Sequence, residues 1–298
     1  MEIGVDDPDE VQTLLREADY IADDEIATTL LLADRLRKPI LIEGPPGCGK
    51  TELAKAVAGA TGTDLVRLQC YRGLETENAI YEWDYMKQFL RIRAEGEARS
   101  DFNPGDIEDS IFDEEYLLER PILRAIRNGE QTVLLIDEID RASEDFEAFL
   151  LEVLDDFQLS IPELGTVIAD EEPLVIITSN RTRKIGDALK RRCLYLYLEP
   201  PTFEKELEIV RTKVPHLDEE LSREIVQFMQ TIRYQENLLR TPGITETLDW
   251  AAALSELGET DLTPETVSNS LSTILKEPQD IDELDAETVE ELTESIDD

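Results

Sequence analysis

Residues 44–51 have the composition and spacing of a phosphate-binding loop. They read GPPGCGKT and fit the pattern G-x-x-x-x-G-K-[ST], between an apolar strand and helical periodicity. Glycines let backbone N–H groups converge on phosphate oxygens, the lysine reaches the β and γ phosphates, and the next hydroxyl can bind Mg²⁺. A Gly-Pro turn without a ligand is the alternative. The predicted nucleotide-binding residues here are Gly44, Pro45, Pro46, Gly47, Cys48, Gly49, Lys50, Thr51 and Glu52.

Two acidic residues end a second apolar segment. Residues 132–136 read TVLLI and are followed by Asp137 and Glu138. A buried parallel strand delivers its last residues to the carboxyl edge of the sheet, where Asp137 can hold Mg²⁺ and Glu138 can polarise an attacking water. Acidic residues also favour a helix N-terminus, so the pattern is informative mainly because a phosphate-binding loop precedes it.

Two further polar positions are candidates for the same chemistry. Asn180 follows the apolar run 174–178, where it can orient the water or contact the γ-phosphate, or simply close a turn. Lys190, Arg191 and Arg192 stand between a helix and an apolar strand. Such cations complement a helix dipole or, in an ATPase that assembles as a ring, reach a neighbour's nucleotide as an arginine finger.

Hydrophobic periodicity predicts an α/β fold, with a parallel sheet flanked by helices in residues 1–200. Residues 71–110 do not fit this alternation and predict a helix with a projecting hairpin or loop, and residues 159–168 predict a short hairpin. The predicted strands are 39–43, 65–69, 132–136, 174–178 and 194–198, and the predicted helices are 11–18, 24–37, 50–60, 113–127 and 144–156.

The pattern changes after Pro200 and Pro201. Only helical periodicity follows, in residues 203–212, 217–233, 245–257 and 264–275, which predicts a smaller helical domain over 201–276. Residues 277–298 contain many acidic residues and no Lys or Arg, which favours a solvated tail, with a helical turn over Glu287 to Leu292 as the alternative.

Composition excludes several classes of function. With 29 basic and 69 acidic residues the formal charge is 29 − 69 = −40, which argues against binding nucleic acid. A single histidine, His216, excludes Ser-His or Cys-His catalysis, and three cysteines without a C-x-x-C pair indicate neither a disulfide framework nor structural zinc. The acidic excess suggests adaptation to high salt, where screening weakens the repulsion between like charges.

The distribution of apolar residues along the chain gives an expectation for where the protein is located in the cell. Hydrophobic residues make up 41% of the chain, enough for a packed core, but no run is long enough to span a membrane. The acidic N-terminus lacks the features of a signal peptide. We therefore expect a cytoplasmic protein.

With these residues identified, the chain resembles AAA+ ATPases of the MoxR group. Within that group it is most similar to the branch named after CoxD, an ATPase associated with maturation of molybdenum-containing carbon monoxide dehydrogenase. The resemblance covers about residues 20–275. Beyond the nucleotide motifs it rests on segments 20–23, 79–83, 161–166, 178–183 and 242–250.

The resemblance implies roles for individual residues. Lys50 and Thr51 belong to the Walker A motif, Asp137 and Glu138 to Walker B, and Asn180 is sensor 1. Arg192 is the first choice for the arginine finger and Arg191 the second. Tyr20 and Ile21 lie in the adenine pocket, and Gln69 restrains Glu138. Residues 71–110 are the helix-2 insert, and residues 159–168 are the pre-sensor-1 hairpin. ATP and Mg²⁺ are the implied cofactors. The implied partners are further copies in a homohexamer, a protein with a von Willebrand factor A domain, and a metalloenzyme client.

One departure from the group concerns sensor 2. Many relatives carry an arginine at the position where this chain has Glu246 and Thr247. Arg233 and Arg240 are near in sequence but not in register. Another arginine therefore contacts the γ-phosphate, or the helical domain senses nucleotide differently.

Three functions follow from these observations. The first is an ATP-driven assembly factor that remodels a protein client, which the resemblance suggests is a molybdenum hydroxylase awaiting its metal centre. The second is a nucleotide-gated scaffold with little turnover, favoured by the missing sensor-2 cation. The third is DNA remodelling, which the fold allows but the lack of a Lys/Arg stripe disfavours.

Overall fold

The computed structural model describes residues 3–98, 109–162, 164–235 and 237–294. Their contacts separate into two compact units. The first draws its residues from 1–11, 24–43 and 54–196, and the second from 12–23, 44–53 and 197–298. No helix in the described ranges is both long enough and apolar enough to cross a membrane.

The helices and strands alternate along the first two thirds of the chain, and among the described residues after 197 every regular element is a helix. In chain order the elements are α1 (Pro8–Glu17), α2 (Asp24–Leu36), β1 (Ile40–Glu43), α3 (Lys50–Thr61), β2 (Asp64–Gln69), α4 (Thr76–Ile80), β3 (Tyr81–Trp83), α5 (Tyr85–Ala98), β4 (Leu117–Glu119), α6 (Pro121–Asn128), β5 (Thr132–Asp137), α7 (Glu144–Asp156), β6 (Gln158–Ile161), β7 (Gly165–Ile168), β8 (Leu174–Ser179), α8 (Asp187–Arg192), β9 (Leu194–Tyr197), α9 (Phe203–Lys213), α10 (Glu219–Arg233), α11 (Ile244–Leu257), α12 (Pro264–Ile274), α13 (Pro278–Glu283) and α14 (Ala286–Glu294).

A five-stranded parallel sheet organises the first unit, in the order β2-β5-β8-β1-β9. Every residue of β1, β5 and β8 is buried, whereas the edge strands β2 and β9 contain exposed positions. This is why the central strands are nearly continuous apolar runs, as expected where helices cover both faces. All five sheet strands predicted from sequence are confirmed, each with one end shifted by a single residue.

The segment predicted as an insert, 71–110, contains α4, β3 and α5, and β4 comes after it. Strands β3 and β4 pair antiparallel, so α5 stands in the chain between two paired strands. The predicted insert, 71–110, lies partly outside the described residues, which omit 99–108.

The prediction of a single helix over 113–127 is wrong in its first half. A 3-10 turn (Glu114–Tyr116) and β4 occupy that part, and α6 starts only at Pro121. Arg120 is extended, with ψ at 170°, because a residue that precedes proline is disfavoured in the helical region. Pairing of β4 with β3 then satisfies backbone groups that a helix would have used.

The hairpin predicted over 159–168 is confirmed as β6 and β7, which pair antiparallel. Leu159 and Ile161 are buried, while three of the four residues of β7 are exposed. Glu163, within this hairpin, lies outside the described residues.

The second unit has a helical core, and the predicted solvated tail is partly wrong. Leu284, Val289 and Leu292 are buried in the same cluster as Trp250 and Phe228. They belong to the segment after residue 277, which forms α13 and α14 and buries apolar side chains at helical spacing. Its high acidic content concealed this apolar face, and residues 295–298 lie outside the described ranges.

Candidate functional site

The order of strands in the first unit gathers the predicted acidic and amide side chains at one edge of the sheet. Strand β5 lies between β2 and β8, and Gln69 is directly opposite Asp137 in the register. Asn180 follows the last residue of β8. Because parallel strands share one carboxyl edge, Gln69, Asp137, Glu138 and Asn180 meet there.

Asp137 is almost completely buried, and both of its carboxylate oxygens accept hydrogen bonds. The hydroxyl of Thr178 donates to Oδ1 at 2.5 Å. The guanidinium of Arg67 donates to Oδ2, from Nε at 3.0 Å and from Nη2 at 2.5 Å. A buried carboxylate requires such partners, since unpaired burial of its charge is costly.

Glu138 has a left-handed backbone, with φ at +57°, and its carboxylate is surrounded by donors. Asn180 Nδ2 donates to Oε1 at 3.2 Å, and Gln69 Nε2 donates to Oε2 at 3.0 Å. Arg141 Nε also lies 2.9 Å from Oε2. The turn is held because the Glu138 N–H donates to the Thr178 hydroxyl at 2.9 Å. The side chain predicted to polarise water is thus connected to the predicted sensor Asn180 and to Gln69.

A second buried aspartate, Asp140, holds the segment that carries Asn180. Its carboxylate accepts the backbone N–H groups of Asn180 and Thr182, each at 3.0 Å, and the Thr182 hydroxyl. Burial alone raises the pKa of Asp140, but the hydrogen bonds from Thr182 and Asn180 outweigh it, so this pKa lies below its usual value. Sequence reasoning missed Asp140, although the run Asp137-Glu138-Ile139-Asp140 was a visible signal.

The electrostatic environment at this edge is suited to a cation. Burial raises the pKa of the Cys70 thiol to about 12, with further contributions from the negative charges of Asp137, Asp140 and Glu138. Carboxylate and hydroxyl oxygens are the ligands that Mg²⁺ prefers. A guanidinium already lies against Asp137, which indicates that a positive charge can be accommodated there.

The predicted phosphate-binding loop lies in the second unit. Lys50, at the start of α3, is 7% exposed. Its amine donates to the carbonyl oxygens of Gly44 at 2.9 Å and Pro45 at 2.7 Å. Burial raises the pKa of Cys48, while the charge of Lys50 opposes that shift. The lysine therefore folds over its own loop, with its charge bound to backbone carbonyls that phosphate oxygens could replace.

Tyr20 lies beside this loop, in the same unit. A Cβ placed on Gly49 would lie 3.9 Å from the Tyr20 ring and from its hydroxyl, and Ile21 is 8% exposed. Burial raises the pKa of the Tyr20 hydroxyl, and nearby Cys48, Asp23 and Glu52 add to the shift. Tyr20 thus supplies an aromatic ring beside the loop, and the adenine-pocket role of Tyr20 and Ile21 stays a prediction.

The start of α11 contacts the phosphate-binding loop directly. Ile244 N–H donates to the Gly47 carbonyl at 3.1 Å. Gly47 has φ at +77°, and a Cβ on it would lie 3.2 Å from Cα of Gly243. Only residues without a side chain permit this approach of two backbones. Glu246 completes the contact by accepting the Gly243 N–H at 2.9 Å.

Arg233 and Arg240, which are near Glu246 and Thr247 in sequence, have different environments. Arg233 is buried and paired with Glu206, which is completely buried. Arg240 has a 57% exposed side chain and lies 3.4 Å from Glu246. Thr247 donates its hydroxyl to Glu206. Arg233 is therefore committed to the core of the helical unit.

The predicted arginine-finger residues also differ. Arg192 donates to the carbonyl oxygens of Leu154 at 2.6 Å and Asp155 at 3.1 Å, and pairs with the Asp155 carboxylate at 2.9 Å. Lys190 pairs with the buried Glu43 at 2.9 Å. Arg191 is exposed and, within the described ranges, makes no hydrogen bond or ion pair. Arg192, the first choice from the resemblance, is thus bound within its own chain, whereas Arg191 is exposed.

Comparison with known proteins adds a family match. The model of the AAA domain, dynein-related subfamily, matches residues 39–193, just over half of the chain. The gas vesicle ATPase GvpN of Haloferax mediterranei is 28% identical over 205 residues, which cover 66% of this chain and 56% of that protein. The chain thus spans little more than half the length of that relative. An uncharacterized protein of Staphylococcus haemolyticus is 24% identical over 204 residues, covering 66% of this chain and 69% of that one.

A comparison with solved structures aligns the chain with the RuvB Holliday junction branch migration motor of Thermotoga maritima. That structure is 18% identical, with 96% of this chain and 75% of the other aligned at a TM-score of 0.47. An arginine-to-alanine variant of the same protein is 17% identical, with 97% and 76% aligned at a TM-score of 0.49.

Proposed function

Because the chain belongs to the AAA domain family, dynein-related subfamily, which consists of ATP-hydrolysing P-loop enzymes, we propose that it hydrolyses Mg-ATP and uses the energy to remodel a protein client. The observation that supports this most is the position of Glu138. Its carboxylate lies between Asn180 and Gln69 at the carboxyl edge of the sheet. This is the environment in which a general base can be both oriented and restrained.

In this proposal the phosphate-binding loop holds the nucleotide. The Lys50 amine exchanges the carbonyls of Gly44 and Pro45 for phosphate oxygens. Thr51 and Asp137 would hold the metal, partly through water. A bound Mg²⁺ would supply neutralisation of the phosphate charge during γ-phosphoryl transfer.

Glu138 accepts the proton of the attacking water. Oε2 already contacts two donors, Gln69 and Arg141, so one of them must move before a water can bind at that oxygen. The donor that moves is Gln69 or Arg141, both on Oε2, while Asn180 on Oε1 remains to orient the water. The proposal therefore includes a resting state in which the base is engaged.

Replacing the base gives the direct test. We expect Glu138→Gln to lower the rate of ATP hydrolysis at least about a hundredfold, because the amide cannot accept the proton. Nucleotide binding, measured with a fluorescent ATP analogue, should persist. Glu144→Gln, at an exposed position in the first turn of α7, is the matched control. A Glu138→Gln variant as active as the parent would remove this residue from the mechanism.

We further propose that the active form is a ring in which a neighbour completes each site. Arg191 is the better candidate for the arginine finger, because Arg192 is held by the carbonyls of Leu154 and Asp155. Specific activity should rise with protein concentration across a hundredfold range. Arg191→Ala should abolish that rise more completely than Arg192→Ala. Activity that is high and independent of concentration would contradict completion in trans.

The proposed client is a molybdenum hydroxylase, engaged together with a protein that carries a von Willebrand factor A domain. Support comes from the MoxR and CoxD-like segments of the sequence. Purified apo-hydroxylase and such a partner should stimulate ATP hydrolysis and raise metal incorporation only with Glu138 intact. Because one relative is named a gas vesicle ATPase, gas vesicle proteins form the comparison arm. Stimulation by these alone would reassign the client.

A nucleotide-gated scaffold is the second candidate. It is favoured by Glu246 and Thr247 at the sensor-2 position and by the burial of Arg233 against Glu206. It predicts that ATP changes the oligomeric state while hydrolysis stays slow with every partner. Light scattering with ATP or ADP, run beside the hydrolysis assay, distinguishes it from the remodelling ring.

The net charge of −40 supports a cytoplasm of high salt as the working environment. At molar KCl the Debye length is about 3 Å, so repulsion between surface carboxylates is largely screened. We expect the circular dichroism signal of the folded chain to strengthen as KCl rises from dilute buffer to molar concentration. Equal folding at both extremes would contradict this adaptation.

A further inference from the structure

We propose that Arg67 is a positioning residue that occupies Asp137 in the metal-free state and competes there with the divalent ion. The inference rests on the proposed Mg-ATP site, and it assigns to Arg67 a role that no sequence pattern indicates. The metal must displace a guanidinium before it can use Asp137 Oδ2. The strength of metal binding is therefore set partly by Arg67.

The geometry comes from two adjacent strands. On β2, Arg67 and Gln69 are two residues apart and point to the same side of the sheet. Gln69 is opposite Asp137 in the register, and Arg67 is opposite Leu135, two residues earlier on β5. The long side chain of Arg67 spans this diagonal and places Nε and Nη2 on Asp137 Oδ2.

The same guanidinium also contacts the partner of the base. Arg67 Nη2 donates to Oε1 of Gln69, whose Nε2 donates to Glu138. One side chain thus joins the two acidic residues through a neutral amide. If Arg67 leaves Asp137, Gln69 loses the contact that fixes its amide toward Glu138. Metal binding at Asp137 and release of Glu138 are consequently linked through Arg67.

The solvent exposure of Arg67 allows its ion pair with Asp137 to break and form again. The Asp137 side chain is 4% exposed but that of Arg67 is 48% exposed. The guanidinium can therefore move into water without leaving a buried cation behind. The buried carboxylate keeps the Thr178 hydroxyl on Oδ1 and favours a cation on Oδ2, so it can exchange one cation for another there. A divalent ion carries twice the charge in a smaller volume, so it can replace Arg67, but it must compete with the guanidinium to do so.

A purely structural role predicts the opposite result. If Arg67 only held Asp137 in the orientation that a metal needs, its removal would weaken metal binding. If Arg67 competes, its removal strengthens metal binding. The sign of the change in affinity therefore separates the two roles, independently of any effect on turnover.

The test uses Mn²⁺ as the probe, with the full chain in molar KCl and saturating ADP. Electron paramagnetic resonance measures free Mn²⁺ during the titration. We expect Arg67→Met, which largely keeps chain length and removes charge, to bind Mn²⁺ roughly threefold to tenfold more tightly. Arg67→Lys should lie between this variant and the parent, since an ammonium keeps the charge but not the two-pronged contact.

Arg124→Met is the matched control. Arg124 has a similar side-chain exposure, 52%, and pairs with Asp64 at the other end of β2. It should leave Mn²⁺ affinity unchanged. Circular dichroism confirms that each variant is folded. Unchanged or weaker Mn²⁺ binding by folded Arg67→Met would overturn the proposal.

The experiment distinguishes failure of the proposed function from failure of the proposed competition between Arg67 and the metal. ADP binding is measured first without metal, by fluorescence of a labelled analogue. If the parent binds no ADP, the nucleotide site is contradicted, and Mn²⁺ titration of the nucleotide-free chain still compares Arg67→Met with the parent. If ADP binds normally while Mn²⁺ affinity does not rise in Arg67→Met, only the competition is wrong.

Discussion

Two arginine–carboxylate clusters, one in each unit, share their chemistry but differ in exposure. In the helical unit, Arg233 contacts both oxygens of Glu206, and the two side chains are 8% and 0% exposed. In the sheet unit, Arg67 contacts one oxygen of Asp137, with side chains 48% and 4% exposed. Each cluster also contains a completely buried threonine, Thr247 in the first and Thr178 in the second.

The difference separates a structural pair from a displaceable one. When both charges are buried, removing either leaves the other without compensation in a low dielectric. When the arginine is half exposed, it can exchange with water or another cation at little cost. The Glu206 cluster accordingly joins α9, α10 and α11, whereas the Asp137 cluster lies where an ion would bind.

The largest effect is expected from Arg233→Met. It leaves Glu206 charged and buried, so we expect the free energy of unfolding to fall by about 3–5 kcal/mol. Urea titration in molar KCl measures this. The double variant Glu206→Gln/Arg233→Met should recover part of the loss, because it removes the remaining charge. A loss below about 1 kcal/mol for Arg233→Met would show that the two clusters do not differ as burial indicates.

A smaller effect on the free energy of unfolding is expected from Asp140→Asn. Asp140 lies near the Asp137 cluster, and within the described residues its carboxylate accepts hydrogen bonds from neutral donors only. Three hydrogen bonds stabilise its charge, so we expect a loss of about 2 kcal/mol at neutral pH. The folded pKa of Asp140 lies below its reference value of 3.8. Its contribution is therefore complete above that value and is lost as pH falls through the folded pKa.

The pH dependence gives the measurement. The difference in unfolding free energy between the parent and Asp140→Asn should be constant from about pH 5 to 8 and shrink below about pH 4. Asp170→Asn is the control, at an exposed aspartate that makes no hydrogen bond or ion pair in the described part of the chain. A difference that grows with falling pH would contradict the direction of the pKa shift.

The same substitution, threonine to valine, can be made in both clusters, at Thr247 and at Thr178, and so compares them directly. Thr247→Val and Thr178→Val each remove a buried hydroxyl that both donates to a carboxylate and accepts from an N–H group. Each should cost about 1–2 kcal/mol of stability. Only Thr178→Val should also lower ATP hydrolysis, because its hydroxyl accepts the backbone N–H of Glu138. Equal hydrolysis by both variants would leave the Thr178 cluster without a catalytic connection.

Local sequence patterns predicted the sheet well. Runs such as TVLLI and LVIIT are apolar because they are central strands, and the residues after them reach the same edge by the rule for parallel sheets. Asp137, Glu138 and Asn180 could therefore be placed together from sequence. The partners could not, because Arg67 precedes Asp137 by 70 residues and nothing in its neighbourhood distinguishes it from a surface arginine.

The prediction of a solvated tail was wrong where the acidic composition was given more weight than the spacing of apolar residues. Residues after 277 are strongly acidic, yet Leu284, Val289 and Leu292 recur at a spacing that buries them in the helical core. Similarly, the resemblance ranked Arg192 ahead of Arg191 as the arginine finger. Only tertiary contacts show that Arg192 is bound to Leu154 and Asp155 while Arg191 is exposed.

The smallest stability effect is expected from Arg67→Met. Since the guanidinium is about half exposed, we expect a loss of about 1 kcal/mol or less in the free energy of unfolding, measured by the same urea titration as Arg233→Met. Arg124→Met again provides the control for removing an exposed arginine. A loss above about 3 kcal/mol would place Arg67 with Arg233 as a structural cation. A small loss together with tighter Mn²⁺ binding would mean that the two clusters differ in function because only one of them can exchange its cation.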